Sequence, residues 1–389
     1  MTRTIALVAA LQFVYILDFI MVLPLGPDLA QALDFPAAQQ GALTAAYTVG
    51  SLLSGLAALR WLDRFERKPL LLAALGALTL AMLATSAAHS MDALLLARFL
   101  TGVAGAPAIA AAMAMVIDGT PPAQRGRAIA RVMFGFSAAA LAGVPLALEL
   151  ARMGGWQAPF LMLALLGAVL WLCMAWKLPR GQRRAAHGAS LASLLRQPLV
   201  RRACLVQGLS QFSAFLLIPH FAAYFLLNLG FPRDRLGLLY LAGGVTALLA
   251  VQLLGRVVDR TGSRVALAVA SAAMGIGLLP FFAEVGAFAV AAFVLFMAGN
   301  AGRNISVAAA LSHVPGAHER AGFMALQSMV QDLSITAAAL AGSVLLTEGG
   351  DGRLTGMPVV AGCAAAVGCT LPWALRRLTP QKSYARTIS

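Results

Sequence analysis

The six residues AAALAG stand at positions 138–143 and return, letter for letter, at 337–342, offset by 199 in a chain of 389. On its own, a short string of small residues repeating once means little. Two further correspondences fall at nearly the same distance. Asp63-Arg64-Phe65-Glu66-Arg67-Lys68 is answered by Asp259-Arg260-Thr261-Gly262-Ser263-Arg264, offset by 196, and Arg125 is answered by Arg320, offset by 195. Three matches at one spacing point to a chain built of two related halves.

Around these strings the chain is apolar. It is 60% hydrophobic and 11% charged, with a mean hydropathy of +0.82. Soluble domains carry roughly 25% charged residues, so this surface has too little charge to face water throughout and must meet lipid. A net charge of +14 would suit nucleic acid, but the charges sit between apolar runs rather than on one polar face, and no nucleic-acid partner is expected. Cys173, Cys204, Cys363 and Cys369 lie in apolar segments without metal-ligand spacing, and they read as small buried hydrophobes. No metal and no cofactor is expected. The sequence lacks HExxH, GxSxG with partners, and GxxxxGK[ST], which argues against a membrane enzyme or an ATPase.

A membrane-spanning helix needs about 20 apolar residues. On that measure the first half offers runs near 5–25, 38–61, 69–88, 93–116, 129–151 and 158–178. The second half offers 203–228, 235–255, 265–284, 286–310, 321–346 and 356–375. The first run is too long for a signal-peptide core and lacks a clear A-x-A cleavage site before the next span, so it is read as a span. The polar break PRGQRRAAHGASLASLLRQPLVR, residues 179–201, divides the spans six and six. Leu191, Leu194 and Leu195 allow a short surface helix within it. The expected organisation is an N-terminal bundle over 1–178, a linker over 179–201 and a C-terminal bundle over 202–389.

Lysine and arginine orient such a chain, because they gather on the cytoplasmic side. With the N-terminus placed inside, 23 of the 29 basic residues fall in inner segments, from Arg3 through the linker to Arg386. Only Arg152, Arg233, Arg235 and Arg353 fall outside, and Arg98 and Arg303 fall within spans. Both termini are therefore expected in the cytoplasm.

These strings resemble the major facilitator superfamily, and within it the proton-coupled efflux permeases of bacterial inner membranes. The 63–68 and 259–264 segments resemble the family's signature loops between spans 2–3 and 8–9. Arg98 with Gly102 is similar to its span-4 motif, and Gly143-Val144-Pro145 to the core of its span-5 antiporter motif. Leu59 and Glu66 replace glycines of the first loop, and Ala147 replaces one after Pro145, whereas Gly255 and Gly262 keep the second loop's pattern. The resemblance covers essentially the whole chain. It implies an all-α fold of twelve membrane helices in two pseudo-symmetric six-helix bundles, working as a monomer with a small-molecule substrate, protons and the lipid bilayer as partners. It also implies drug efflux and multidrug resistance as the setting, with uptake of a small metabolite as the alternative. A non-transporting receptor is a weaker reading, since no large soluble domain is expected, and a membrane enzyme is weaker still.

Ionisable residues inside spans are costly unless they face protein or water, so they nominate the site. By helical rise, Asp18 and Arg98 lie at similar depth, about 10 and 9 Å below the outer face, which permits an ion pair. Asp18 is the first candidate for proton coupling, and a fixed structural bridge is the alternative. Arg303 and Asp332 are the buried charges of the second half, and a long arginine could span the gap between them. Asn300 and Asn304 flank Arg303 and suggest a cavity wall. Gln207 and Gln211, one turn apart on span 7, suit a hydrogen-bonding solute. His220, whose imidazole ordinarily titrates near neutral pH, is a second candidate for proton coupling, with a structural role beside Pro219 as the alternative. Tyr47, Phe136 and Phe212 are aromatic cavity candidates, with Phe134 and Phe215 nearby. Gly102 and Gly143 offer close helix approach, and Pro145 is expected to kink span 5. Asp63, Arg64, Arg67, Lys68, Asp259, Arg260 and Arg264 are expected to pair with neighbouring helix ends and act as gating loops.

Overall fold

A computed structural model describes residues 2–61, 65–121, 124–178, 191–283, 288–316 and 319–378. Within them, twelve helical segments are long and apolar enough to cross a membrane. Spans 1 to 6 run Thr2–Ala32, Ala37–Ala58, Arg67–Ser86, Met91–Asp118, Arg125–Gly154 and Gln157–Lys177. Spans 7 to 12 run Pro198–Asn228, Arg233–Thr261, Ser263–Phe282, Ala289–Leu311, Gly322–Leu345 and Met357–Arg376.

The ends differ from the hydropathy reading where proline intervenes. Span 1 continues to Ala32 through Pro24 and Pro27, because backbone groups freed by an intramembrane proline can be satisfied by neighbouring helices. Span 7 begins at Pro198, which occupies the first turn where its missing N–H costs nothing. Leu191–Arg196 forms a short helix ahead of it, with Leu194 buried among Val200, Ala203 and Phe323.

The packing shows the duplication. In the first half, span 2 packs on span 4, span 3 on spans 4 and 6, and span 1 on span 5. Adding six to each number gives the second half: 8 on 10, 9 on 10 and 12, and 7 on 11. The main contacts between the halves obey the same shift, span 2 on span 11 and span 5 on span 8. The chain thus forms two six-helix bundles related by a pseudo-twofold axis.

Small residues set these distances, as expected of helices that associate in lipid. Gly102 lies against the Tyr47 carbonyl and Gly50 against the Phe99 carbonyl, so spans 2 and 4 meet backbone to backbone. Gly143 faces the Leu17 side chain of span 1. Pro145 has no N–H to offer and crowds the preceding turn, and span 5 responds with a π-helical turn over Ala139–Gly143. The expected kink therefore takes the form of a widened turn. Both AAALAG copies lie on the contact between halves. The Ala140 carbonyl abuts Gly244 of span 8, and the Ala339 carbonyl abuts Gly41 of span 2. The repeat noticed first in the sequence is the pair of surfaces on which the bundles meet.

The cysteines depart from the sequence reading. All four are free, none is fully buried, and Cys363 and Cys369 are exposed on span 12. In lipid a thiol on the outer helix face costs little, so apolar neighbours in sequence did not require burial. A two-residue hairpin, β1 (Thr347–Glu348) and β2 (Leu354–Thr355), joins spans 11 and 12.

Candidate functional site

Asp18 and Arg98 form the ion pair that their equal depth allowed. Arg98 Nη1 donates to both carboxylate oxygens of Asp18 at 3.0 Å, and Nη2 donates to the Asp18 carbonyl at 3.1 Å. Asp18 is fully buried and Arg98 nearly so. Its guanidinium also lies over the Tyr47 ring, 5.0 Å from the centroid. Three hydrogen bonds and an aromatic face on one guanidinium make a stiff joint between spans 1, 2 and 4.

Aromatic rings continue from this joint to the other bundle. Tyr47 meets Phe19 at 5.0 Å and Tyr15 at 6.3 Å between centroids, and Phe19 meets Phe215 of span 7 at 6.1 Å. Tyr47 thus belongs to a run of rings that reaches from span 2 to span 7. Phe136 is instead exposed on span 5, as is Phe134, and neither takes part in these ring contacts. Phe212 is half-buried and packs on the core.

Asp332 lies at the middle of the seam. Ser51 Oγ of span 2 donates to its Oδ2 at 2.7 Å, and one turn on, Thr48 and Thr336 share a 2.7 Å hydroxyl contact. Asp332 is half-buried, and among the described residues its other oxygen accepts no hydrogen bond and no cation pairs with it. Two more polar links tie the halves at the end away from the termini. Arg233 of span 8 forms an ion pair with Asp28 of span 1, and Glu348 accepts from the Ala37 N–H at 2.9 Å. The bundles are closed together from mid-membrane to that end.

The expected bridge from Arg303 to Asp332 does not form. Arg303 turns into its own bundle, where Nη2 donates to the Ser210 carbonyl at 2.7 Å and to Ser213 Oγ at 2.5 Å, and Nη1 contacts Met274 Sδ at 2.6 Å. Rise arithmetic gave the height of each residue but not the direction it faces around its helix. Arg303 is almost wholly buried and links spans 7, 9 and 10, so it joins helices instead of lining a cavity. Asn304 is exposed and Asn300 half-buried. The arrangement mirrors that of Arg98: each arginine, on spans 4 and 10, bonds a backbone carbonyl of span 1 or 7. Asp18 supplies a carboxylate in the first half, and Ser210 holds its place in the second.

On span 7, Gln207 donates to Gln331 of span 11 at 3.3 Å, and Gln211 is buried. His220 is fully buried where span 7 breaks into a 3-10 turn at Ile218–His220, next to Pro219. Among the gating candidates, Asp63 and Arg64 lie outside the described residues. Arg67 faces Asp118 at 3.8 Å and Lys68 donates to the Leu178 carbonyl at 2.7 Å. Arg264 donates to the Arg376 carbonyl at 3.3 Å. These contacts stay within one bundle. Asp259 and Arg260 are exposed, and no ion pair is formed by either among the described residues.

Ser51, Thr48, Thr336, Tyr15, Phe19, Ser210 and Ser213 were not singled out from sequence. Hydroxyls within apolar runs were the available signal, since they bond across helices in lipid, but they are too common to nominate one by one. A cavity of about 270 Å³ lies apart from the seam, under the hairpin, beside Tyr224, Asn228, Phe281 and Arg353.

The family model described as Major Facilitator Superfamily matches residues 8–203 and again 203–387. A probable sugar efflux transporter of Pasteurella multocida (strain Pm70) is 27% identical over 371 residues, 91% of this chain and 88% of that protein. A chromaffin granule amine transporter of Rattus norvegicus is 29% identical over 190 residues, 48% of this chain, and the match spans only 36% of that protein's length. Among solved structures, a D-xylose-proton symporter superposes with a TM-score of 0.78 at 16% identity, covering 98% of each chain. That likeness concerns the fold.

Proposed function

The chain belongs to the Major Facilitator Superfamily, a family of secondary transporters, and from that premise we propose that it expels a small organic compound in exchange for protons. It is a multi-pass membrane protein. The reading places it in a bacterial inner membrane with both termini in the cytoplasm, supported by the gathering of lysine and arginine in the segments on that side.

The hydrogen bond from Ser51 to Asp332 carries the coupling. It crosses the seam that must open for alternating access, and its acceptor is a titratable group with one oxygen free. Within the membrane such a carboxylate is discharged either by a proton or by a positively charged group on a solute. Both changes weaken or re-aim the same link between bundles, so solute and proton compete for one point of control. The solute this suits is neutral or weakly cationic, with an apolar body to lie on Phe19, Tyr47 and Phe215. Asp18 is the less available carboxylate, because Arg98 holds both its oxygens and its carbonyl. The relative with a sugar-efflux name, matched along 91% of the chain, and the Gly143-Val144-Pro145 string support the outward direction. Proton-driven uptake of a metabolite is the other reading, supported by the fold shared with a xylose–proton symporter.

Everted vesicles decide between them. A compound first found by thermal stabilisation of the purified protein across a library should accumulate when the vesicle interior is acidified, and should leak away on adding a protonophore. Absence of accumulation, or accumulation only when the exterior is acid, defeats proton-driven efflux.

A further inference from the structure

Three side chains at the closed end of the seam, Gln40, His220 and the half-buried Ser343, hold buried polar atoms without hydrogen-bond partners among the described residues. Gln40 is buried at the start of span 2, and neither its amide oxygen nor its amide nitrogen has a hydrogen-bond partner. His220 is fully buried with both ring nitrogens unpartnered, and the Ser343 hydroxyl of span 11 is unpartnered as well. Each of the three lies against a glycine: Gln40 on Gly26 of span 1, Ser343 on Gly41 of span 2, and His220 on Gly342 of span 11. The 3-10 turn holding Gln40 packs on the 3-10 turn holding His220, and both pack on span 1. Four elements from the two halves therefore converge on five polar atoms, of which Gln40 Oε1, Ser343 Oγ and His220 Nε2 lie against glycine positions.

Such atoms are normally hydrogen-bonded when buried, and each one left unpaired weighs against the state that buries it. The closed seam is thus held by Asp28–Arg233, Ala37–Glu348, Thr48–Thr336 and Ser51–Asp332, and opposed by five buried polar atoms with no protein partner among the described residues. His220 adds a charge to this balance. Among the described residues, a protonated imidazole has no counter-ion in the closed seam. The ionisable groups on the elements packed around it are Arg3, Tyr15, Asp18 and Asp28 of span 1, Tyr47 of span 2 and Asp332 of span 11, and span 7 itself carries Arg201, Arg202, Cys204 and Tyr224. Of these acids, Asp28, Asp18 and Asp332 are bonded to Arg233, Arg98 and Ser51.

We propose that His220 is a pH-sensitive lock on this end of the seam: the bundles close only on the neutral imidazole, and protonation of His220 in the opened state holds them apart. The sign follows from linkage. The opened state binds the proton and the closed state does not, so acid favours opening. The shift approaches tenfold in the open-to-closed ratio for each pH unit below the ordinary histidine value of about 6.5. The proposal needs neither a substrate nor a direction of transport, and it stands apart from the exchange assigned to Asp332.

The test uses full-length protein in nanodiscs, where both faces see the same pH. Ala37 is buried in the closed seam, so Ala37→Cys in a background with Cys173, Cys204, Cys363 and Cys369 replaced by serine reports opening through its rate of maleimide labelling. Rates are normalised to those of the unfolded protein at each pH between 7.5 and 5.5. Labelling should rise toward acid with His220 present and become flat with His220→Asn. A flat profile with His220 present overturns the proposal, and so does an unchanged acid rise in His220→Asn, which would assign the effect to Asp28, Glu348 or Asp332. Gln40→Met guards against misfolding of the histidine variant. It removes two buried polar atoms without protein partners from the closed state and should slow labelling severalfold at every pH while keeping the acid rise. Faster labelling in Gln40→Met would also overturn the proposed balance.

Discussion

Ser51 Oγ lies 2.7 Å from Asp332 Oδ2, and the two residues belong to different bundles, on spans 2 and 11. A hydrogen bond to a charged acceptor contributes roughly 1.5–3 kcal/mol, a large share of what separates two conformations of a transporter. The same carboxylate has a second oxygen directed at no protein donor among the described residues. Closure and recognition therefore meet in one side chain.

Asp332→Asn should separate the two roles. The amide still accepts from Ser51, so the fold and the closed seam are kept, but the charge is lost. Binding of a lipophilic cation such as tetraphenylphosphonium is expected to weaken tenfold or more, equivalent to about 1.4 kcal/mol. Binding of a neutral solute should change little. Isothermal titration with the purified protein measures both, and equal losses for cation and neutral compound would remove Asp332 from recognition.

Asp18 and Arg98 should behave as a unit. Removing one member of a buried ion pair strands the other and costs about 3–5 kcal/mol, whereas removing both is far milder. Asp18→Asn and Arg98→Gln are each expected to lower the melting temperature sharply in detergent, and the double variant to recover most of it. If Asp332 is the exchanging carboxylate, the recovered double variant also keeps proton-driven transport. A double variant that folds but has lost pH-driven accumulation would return the coupling role to Asp18.

Arg303 carries the opposite expectation. Its partners are serine oxygens, a carbonyl and a thioether, so Arg303→Met leaves no uncompensated charge behind. The cost is about 1–3 kcal/mol, the range for buried neutral acceptors losing their donor, and smaller than for Arg98→Gln. Comparing the two melting temperatures tests this, and equal or larger damage at Arg303 would mean that it has an ionic partner.

How far these features could be read from the chain depends on what each required. The spans, the duplication and the depth of Asp18 and Arg98 follow from composition and helical rise, which act along one dimension. The partner of Asp332 was out of reach, because it needed the rotation of span 11 about its own axis and the choice of one serine among many. Arg303 was misjudged for the same reason: its height suited Asp332, but its side chain turns toward span 7. Pro145 announced a disturbance in span 5, although the form it took, a π-helical turn at Ala139–Gly143, depended on how spans 1 and 8 pack against it. His220 showed as a titratable histidine within a span, but its surroundings, with Gly26, Gly41 and Gly342 on three other spans, depended on packing.

The repeated AAALAG string yields the last prediction. Its third alanine presents a carbonyl to a glycine of the opposite bundle in both copies, Ala140 to Gly244 and Ala339 to Gly41. A side chain at Gly244 would come within 3.1 Å of the Ala140 oxygen, and one at Gly41 would collide with the Ala339 oxygen and Ser343. Because the obstacle is backbone, neither site can relax by turning a side chain away. Gly41→Val and Gly244→Val should therefore hold the bundles apart at the closed end while each six-helix core stays packed. Labelling of Ala37→Cys should rise about fivefold or more in either variant, as expected when an overpacked contact costs roughly 1–3 kcal/mol. Gly255→Ala and Gly275→Ala serve as controls, since an added Cβ there meets nothing within 4 Å, and labelling should be unchanged. Gly41→Val or Gly244→Val labelling no faster than these controls would show that the repeated string is not the surface on which the halves close.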